Sequence, residues 1–288
     1  MIDLLVLALM RVQIAAAIGV LAVLLLRLPV RWLLGPRLAY GLWALVPTTA
    51  IAGLFPSLAE TTQTGVAAEP LGPSLALKLL LTWLAGAALF AGVMVLQERA
   101  FRRRAERGQA GPAVMGALWP RLVLPTDFTD RFSARERDLI LLHERTHIRR
   151  GDPVANLAMV GCRVAGWCNP MIHIGAAFAR IDQELACDAT VLALRGDIRA
   201  DYARALLKVS HFGLASPLAC GWGTHPLVLR VGFLGRTEPS IGRQIAGYVL
   251  LPALAIATFI GVWTMAPRGF DSLAMAPDAL YVPSAEHG

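Results

Sequence analysis

Four apolar runs, each close to the roughly 20 residues a helix needs to cross a bilayer, limit what this chain can fold into. They cover about Leu4–Leu26, Leu38–Phe55, Ser74–Leu96 and Ile245–Ala266. Hydrophobic residues make up 56% of the chain and charged residues 16%. A soluble domain has about 45–50% and about 25%, so the runs are read as membrane helices. The first run does not read as a cleaved signal: Arg11 lies inside it, and no small-residue cleavage site precedes Arg27.

Charge sets the expected orientation. Arg27, Arg31 and Arg37 fall between the first two runs, and Arg99, Arg102, Arg103, Arg104 and Arg107 follow the third. Glu60 and Glu69 lie between the second and third runs, with no Lys or Arg. Basic loops stay cytoplasmic. The expected layout is a three-span membrane region (1–96), a cytoplasmic domain (97–244), a fourth span (245–266) and a short outside tail (267–288). Most of the charge lies in 97–244, which is long enough to bury its own core. The net charge of +7 belongs to this membrane pattern. The arginines border apolar runs without interleaved aromatics, so no direct nucleic-acid partner is expected. Cys162, Cys168, Cys187 and Cys220 fit no paired-cysteine zinc motif and are expected to be free thiols in the cytoplasm.

Within the cytoplasmic domain, Ala113–Pro125 reads as two short strands or a hairpin, punctuated by Pro120 and Pro125. The rest is helical. Ser133 followed by Glu136 forms a capping box for a helix to about Arg150, ended by Gly151. Asp152-Pro153 opens the next helix, and Asn169-Pro170 opens a long one to about Leu194. A further helix is expected over Ala200–His211.

The sharpest chemical signal is His143-Glu144-Arg145-Thr146-His147. Positions i and i+4 of a helix share a face, so both imidazoles can reach one zinc ion. Glu144 is placed to take a proton from the water that the metal activates. The apolar Ile140-Leu141-Leu142 just before the motif argues against a solvated face with incidental histidines. Catalytic zinc usually takes three protein ligands and keeps one open position. Candidates for the third are His173, Asp182, Glu184, Asp188, His211 and His225. Glu184 stands out, because it and Asp188 lie one turn apart on a helix in apolar surroundings. A buried carboxylate pair needs a cation or donors, and a metal for Glu184 and an imidazole N–H for Asp188 would supply them. An Arg180–Glu184 surface pair is the bland alternative. His173, on a largely apolar helix, reads as an interface residue.

The motifs His143-Glu-Arg-Thr-His147-Ile-Arg-Arg-Gly-Asp152, Trp167-Cys-Asn-Pro170 and Glu184-Leu-Ala-Cys-Asp188 come in that order, within the same run of spans. The sequence thereby resembles the BlaR/MecR-type antirepressor membrane zinc metallopeptidases, of the gluzincin kind, over most of its length. That resemblance implies a mainly α protein with four transmembrane helices. Its cytoplasmic, mostly helical gluzincin-like peptidase domain would carry a short strand or hairpin. It further implies one Zn2+ held by His143, His147 and Glu184, with Glu144 as general base and Asp188 orienting a ligand. The oxyanion stabiliser stays open among Tyr202, His211, His225 and Arg230. The implied setting is a bacterial-type inner membrane. The implied partners are the lipid bilayer, a protein substrate such as a winged-helix transcriptional repressor or the chain itself, and a second copy in a homodimer. The penicillin-binding sensor domain of such receptors, with its Ser-x-x-Lys nucleophile, is not expected in residues 267–288, which contain no lysine. Two other readings are a membrane quality-control protease of the HtpX type and a catalytically idle membrane signal transducer.

Overall fold

The computed structural model describes residues 2–55, 72–195, 198–209, 217–218, 220–221 and 227–265. The fold is mainly helical. Among the described residues, three helices are long and apolar enough to cross a membrane: α1 (Ile2–Leu33), α4 (Pro73–Glu106) and α11 (Ile241–Met265). α4 and α11 turn apolar side chains outward, with Leu89 73% and Val249 67% exposed, as lipid-facing helices do.

The second apolar run is divided. It forms α2 (Pro36–Gly41), a 3-10 turn (Leu42–Ala44) and α3 (Leu45–Ala52). Pro47 explains the break. It has no N–H to give the Trp43 carbonyl, and its ring crowds that carbonyl. The three pieces follow one another with helical caps throughout, which gives a rod about 27 Å long. The rod returns alongside α1. A Cβ on Gly19 would lie 2.3 Å from Thr49 Oγ1, so the absence of a side chain there permits the approach.

α1 also runs further than its apolar stretch, past Pro29 to Leu33. Arg27 and Arg31 therefore lie in the helix rather than in a loop, and both are buried. The tail 267–288 lies outside the described residues.

The hairpin forms as β1 (Ala113–Met115) and β2 (Arg121–Val123), paired antiparallel with Val114 opposite Leu122. Gly116 takes a φ of +91° at the turn, a conformation open to glycine. A third strand, β3 (Cys220–Gly221), pairs on the other edge of β1, giving the order β2-β1-β3. β2 is thus an outer strand of this sheet.

A short α5 (Phe128–Arg131) leads into α6 (Ala134–Arg150). The capping box is formed: Glu136 N donates to Ser133 Oγ, and Ser133 N donates to Glu136 Oε2 at 2.9 Å. Gly151 closes the helix in the left-handed region at φ +74°. α7 (Asp152–Ala165) follows directly. Asn169 accepts from the Met171 amide at the start of α8 (Pro170–Leu194). α9 (Arg199–Val209) and α10 (Leu227–Leu234) complete the domain.

One core joins α6, α8, α9 and α10 through Leu139, Ile140, Val191, Leu206 and Leu234, with Phe128 of α5 and Phe132 just after it. Each such side chain contributes about 1.5–3 kcal/mol on burial. Leu139, Ile140, His143 and His147 are spaced to share the inner face of α6, and all are buried. On α8, residues 182–188 are buried on every side.

Candidate metal centre

His143 and His147 on α6 bring their Nε2 atoms to 3.0 Å of each other. The Glu184 carboxylate on α8 faces both rings, with Oε2 3.5 Å from His143 Nε2 and Oε1 3.5 Å from His147 Nε2. The other ring nitrogens fix the tautomers. His147 Nδ1 lies 2.6 Å from Asp152 Oδ2, and a carboxylate only accepts, so Nδ1 carries the proton. His143 Nδ1 lies 2.7 Å from the Tyr202 hydroxyl, which itself donates to Asp188 Oδ1 at 2.7 Å. His143 Nδ1 must therefore donate as well. Both Nε2 lone pairs then point at each other across 3.0 Å with no hydrogen between them, an arrangement that a cation relieves.

The donor spacing fits such an ion. Tetrahedral donors about 2.0–2.1 Å from zinc stand about 3.3–3.4 Å apart, close to the observed 3.0, 3.5 and 3.5 Å. Protonation states agree with this. Burial pushes His143 down to about 4, which leaves it neutral. Burial opposes charge on Glu184, but the Arg230 guanidinium beside it holds its carboxyl well below the usual range.

Cys187 also lies near. His143, His147 and Cys187 each offer a donor atom within 4.8 Å of the others. Its geometry points elsewhere, because Sγ donates to the His143 carbonyl at 3.6 Å. Burial pushes its thiol up to about 12. Glu184, anionic and 3.5 Å from each Nε2, suits a divalent cation.

Glu144 is wholly buried, and neither of its carboxylate oxygens has a hydrogen-bond partner. Burial pushes it up to about 8, with the Glu184 charge adding to the shift and the Arg230 charge opposing it; the Val114 main chain lies near but outside hydrogen-bond geometry. An unsatisfied buried carboxylate costs stability, and its persistence beside the donor cluster is a mark of function rather than packing.

A second set of residues holds the first. Arg230 on α10 is buried and grips Asp188 through Nε (2.8 Å) and a terminal nitrogen (2.7 Å), while its other terminal nitrogen lies 3.1 Å from Glu184. Asp188 lies 3.4 Å from His143 Nδ1, with the Tyr202 hydroxyl hydrogen-bonded to both. Arg150 Nε bonds Asp152 at 3.1 Å. Asp152 reads in the sequence only as a helix opener; its contact with His147 shows once Gly151 turns the chain back.

Several other sequence candidates have their own partners. Asp182 binds Arg27 (3.2 Å), Arg31 and Trp43 Nε1 (2.9 Å), which ties α8 to α1 and the 3-10 turn. His173 Nε2 donates to the Trp167 carbonyl at 2.9 Å and its ring packs on Phe90. Arg180 donates to the Pro217 carbonyl rather than pairing with Glu184. His211 and His225 lie outside the described residues. Cys162, Cys168 and Cys187 are free thiols.

Fold and site together define a class: a mainly helical protein with helices long and apolar enough to cross a membrane and a buried cluster of side chains that could hold a metal ion. The model of the family described as BlaR1 peptidase M56 matches residues 7–74 and 108–234. This chain belongs to that family. The Regulatory protein BlaR1 of Bacillus licheniformis is 32% identical over 98 residues, 34% of this chain and 16% of that protein. The Methicillin resistance mecR1 proteins of Staphylococcus aureus and Staphylococcus epidermidis are each 31% identical over 100 residues, 34% of this chain and 17% of theirs. The matched stretch thus spans about one sixth of each relative.

Proposed function

We propose that this chain is an integral-membrane zinc metalloendopeptidase that cuts peptide bonds at the cytoplasmic face, in regulatory proteolysis of a transcriptional repressor or of itself. One observation carries the reading: three donors converge beside a buried glutamate with no hydrogen-bond partner. In this reading His143, His147 and Glu184 hold one zinc ion. When bound, zinc polarises the scissile carbonyl and brings the pKa of water to about 7.

The chain's own residues do the rest. Glu144 takes the proton of the attacking water on a carboxylate oxygen and later delivers it to the leaving amine nitrogen. Asp152 directly, and Asp188 through Tyr202, hold the imidazole N–H groups so that each Nε2 faces the ion. The outer edge of β2 offers main-chain groups to an extended substrate.

The arginine bias supports the layout proposed from the sequence. The rod 36–52 serves as the second of four spans, 97–244 is the cytoplasmic catalytic unit, and 267–288 lies outside. The regulatory role in the Bacillus relative's name supports regulatory rather than housekeeping proteolysis.

The test compares cells carrying the intact chain with cells carrying Glu144→Gln. A cleavage fragment should appear only with the intact form, while the purified variant keeps its zinc. The same fragment in equal yield from both forms would overturn the assignment.

A further inference from the structure

A cavity of about 540 Å³ lies against α8, with Asp188 in its wall. Its walls come from the α1–α2 turn, from Leu185, Ala189 and Leu192 of α8, and from the chain between α10 and α11. The last residues of α1 and the first of α11 meet here. A Cβ on Gly35 would lie 3.1 Å from Pro239, and Arg37 pairs with Glu238 at 2.8 Å. Both helices are candidate spans, Leu5–Leu33 and Ile241–Thr264. The cavity therefore opens where two spans end on the same side, at the membrane boundary.

Its lining is strongly basic: Arg31, Arg37, Arg199, Arg236 and Arg243 against Asp188 and Glu238. Both acids are engaged, Asp188 by Arg230 and Glu238 by Arg37. Arg31 pairs with Asp182. Arg199, Arg236 and Arg243 meet no carboxylate among the described residues. Arg199 spends one nitrogen on the Leu234 and Arg236 carbonyls, at 2.8 and 3.0 Å. Arg236 stacks its guanidinium 3.0 Å from the Trp32 ring centre, which leaves its in-plane N–H groups for a ligand. Arg243 makes only a 3.3 Å bond to Ser240 Oγ. Three guanidiniums converging without counter-charge suit a phosphate. The lining also carries the exposed aromatic side chains of Trp32 and Tyr248, and Trp and Tyr favour the headgroup level.

From this combination we infer that the cavity binds the phosphate headgroup of an anionic glycerophospholipid, with its acyl chains along α11. Basic pockets at the ends of membrane helices recognise such headgroups. The site shares no ligand atom with the metal centre, so the inference stands apart from the proposed peptidase reaction.

The test uses the full chain in detergent micelles, stripped of lipid and titrated with dioctanoyl phosphatidylglycerol, dioctanoyl phosphatidylcholine and inorganic phosphate, with binding read by native mass spectrometry. Phosphatidylglycerol should bind saturably and at least about tenfold tighter than phosphatidylcholine or free phosphate. Each arginine near a membrane surface is worth roughly fivefold, so R236Q/R243Q should weaken phosphatidylglycerol binding roughly 25-fold. R103Q/R104Q removes the same charge from the end of α4 and should leave binding within about twofold. Should the first double variant misfold, R243Q alone should still cost roughly fivefold. Equal affinity for the two lipids, or unchanged binding in R243Q, would overturn the inference. Free phosphate binding as tightly as the lipid would overturn the lipid source.

Discussion

Asp152 sits two residues past the end of the helix that carries both histidines, and replacing it tests how the metal centre is held. Its Oδ2 accepts the His147 Nδ1 proton at 2.6 Å and an Arg150 N–H at 3.1 Å, fully buried. A hydrogen bond to a charged group contributes about 1.5–3 kcal/mol. Here that energy keeps Nε2 unprotonated and aimed at the ion, so its loss appears in metal affinity. At about 1.4 kcal/mol per tenfold, Asp152→Ala should weaken zinc binding roughly 10- to 100-fold. Asp152→Asn keeps an acceptor oxygen but loses the charge, and should fall near the lower end. Tyr202→Phe provides the contrast. It removes the hydroxyl between His143 and Asp188, but the two lie only 3.4 Å apart, and a small shift restores a direct bond. Its loss should be smaller, under about tenfold. Competition of purified full chain against a chromophoric zinc chelator measures all three. Wild-type affinity in Asp152→Ala, with the fold intact by circular dichroism, would refute the reasoning.

Three further outcomes are expected. Asp182→Ala strands Arg27 and Arg31 in the interior and should cost about 3–5 kcal/mol, read as a lowered thermal midpoint in detergent. Asp182→Asn, which keeps one acceptor oxygen, should cost less. Burial alone would raise the Glu136 carboxyl, but Lys208 and Ser133 hold it below its ordinary value. Its contribution is therefore present above about pH 4.3 and fades as pH falls through the lowered folded value. The thermal midpoints of wild type and Glu136→Gln should accordingly differ at neutral pH and converge in acid. Glu184→Ala should lower the zinc content of the purified chain, and full stoichiometry in that variant would move the third donor elsewhere.

Local signals in the sequence were legible because the physics is local. Ser133 with Glu136, Gly151 and Asn169-Pro170 set helix ends through neighbouring groups, and α6, α7 and α8 begin and end there. The two histidines follow from the helical repeat alone. Long-range partners leave no such trace. Arg27 and Arg31 read as a basic loop, yet they continue α1 and meet Asp182 about 150 positions later. Tyr202 and Arg230 stood only as oxyanion candidates; what joins them to His143, Glu184 and Asp188 is the packing of α9 and α10 on α8. The second apolar run reads as one helix by composition, and the interruption at Leu42–Ala44 comes from the missing N–H of Pro47.

The central claim is that His143, His147 and Glu184 hold one zinc ion and that Cys187 does not. Zinc-edge X-ray absorption on the full chain loaded with one equivalent of zinc tests it most directly. Only nitrogen and oxygen scatterers at about 2.0–2.1 Å are predicted. A sulfur scatterer at about 2.3 Å would place Cys187 in the shell and contradict it.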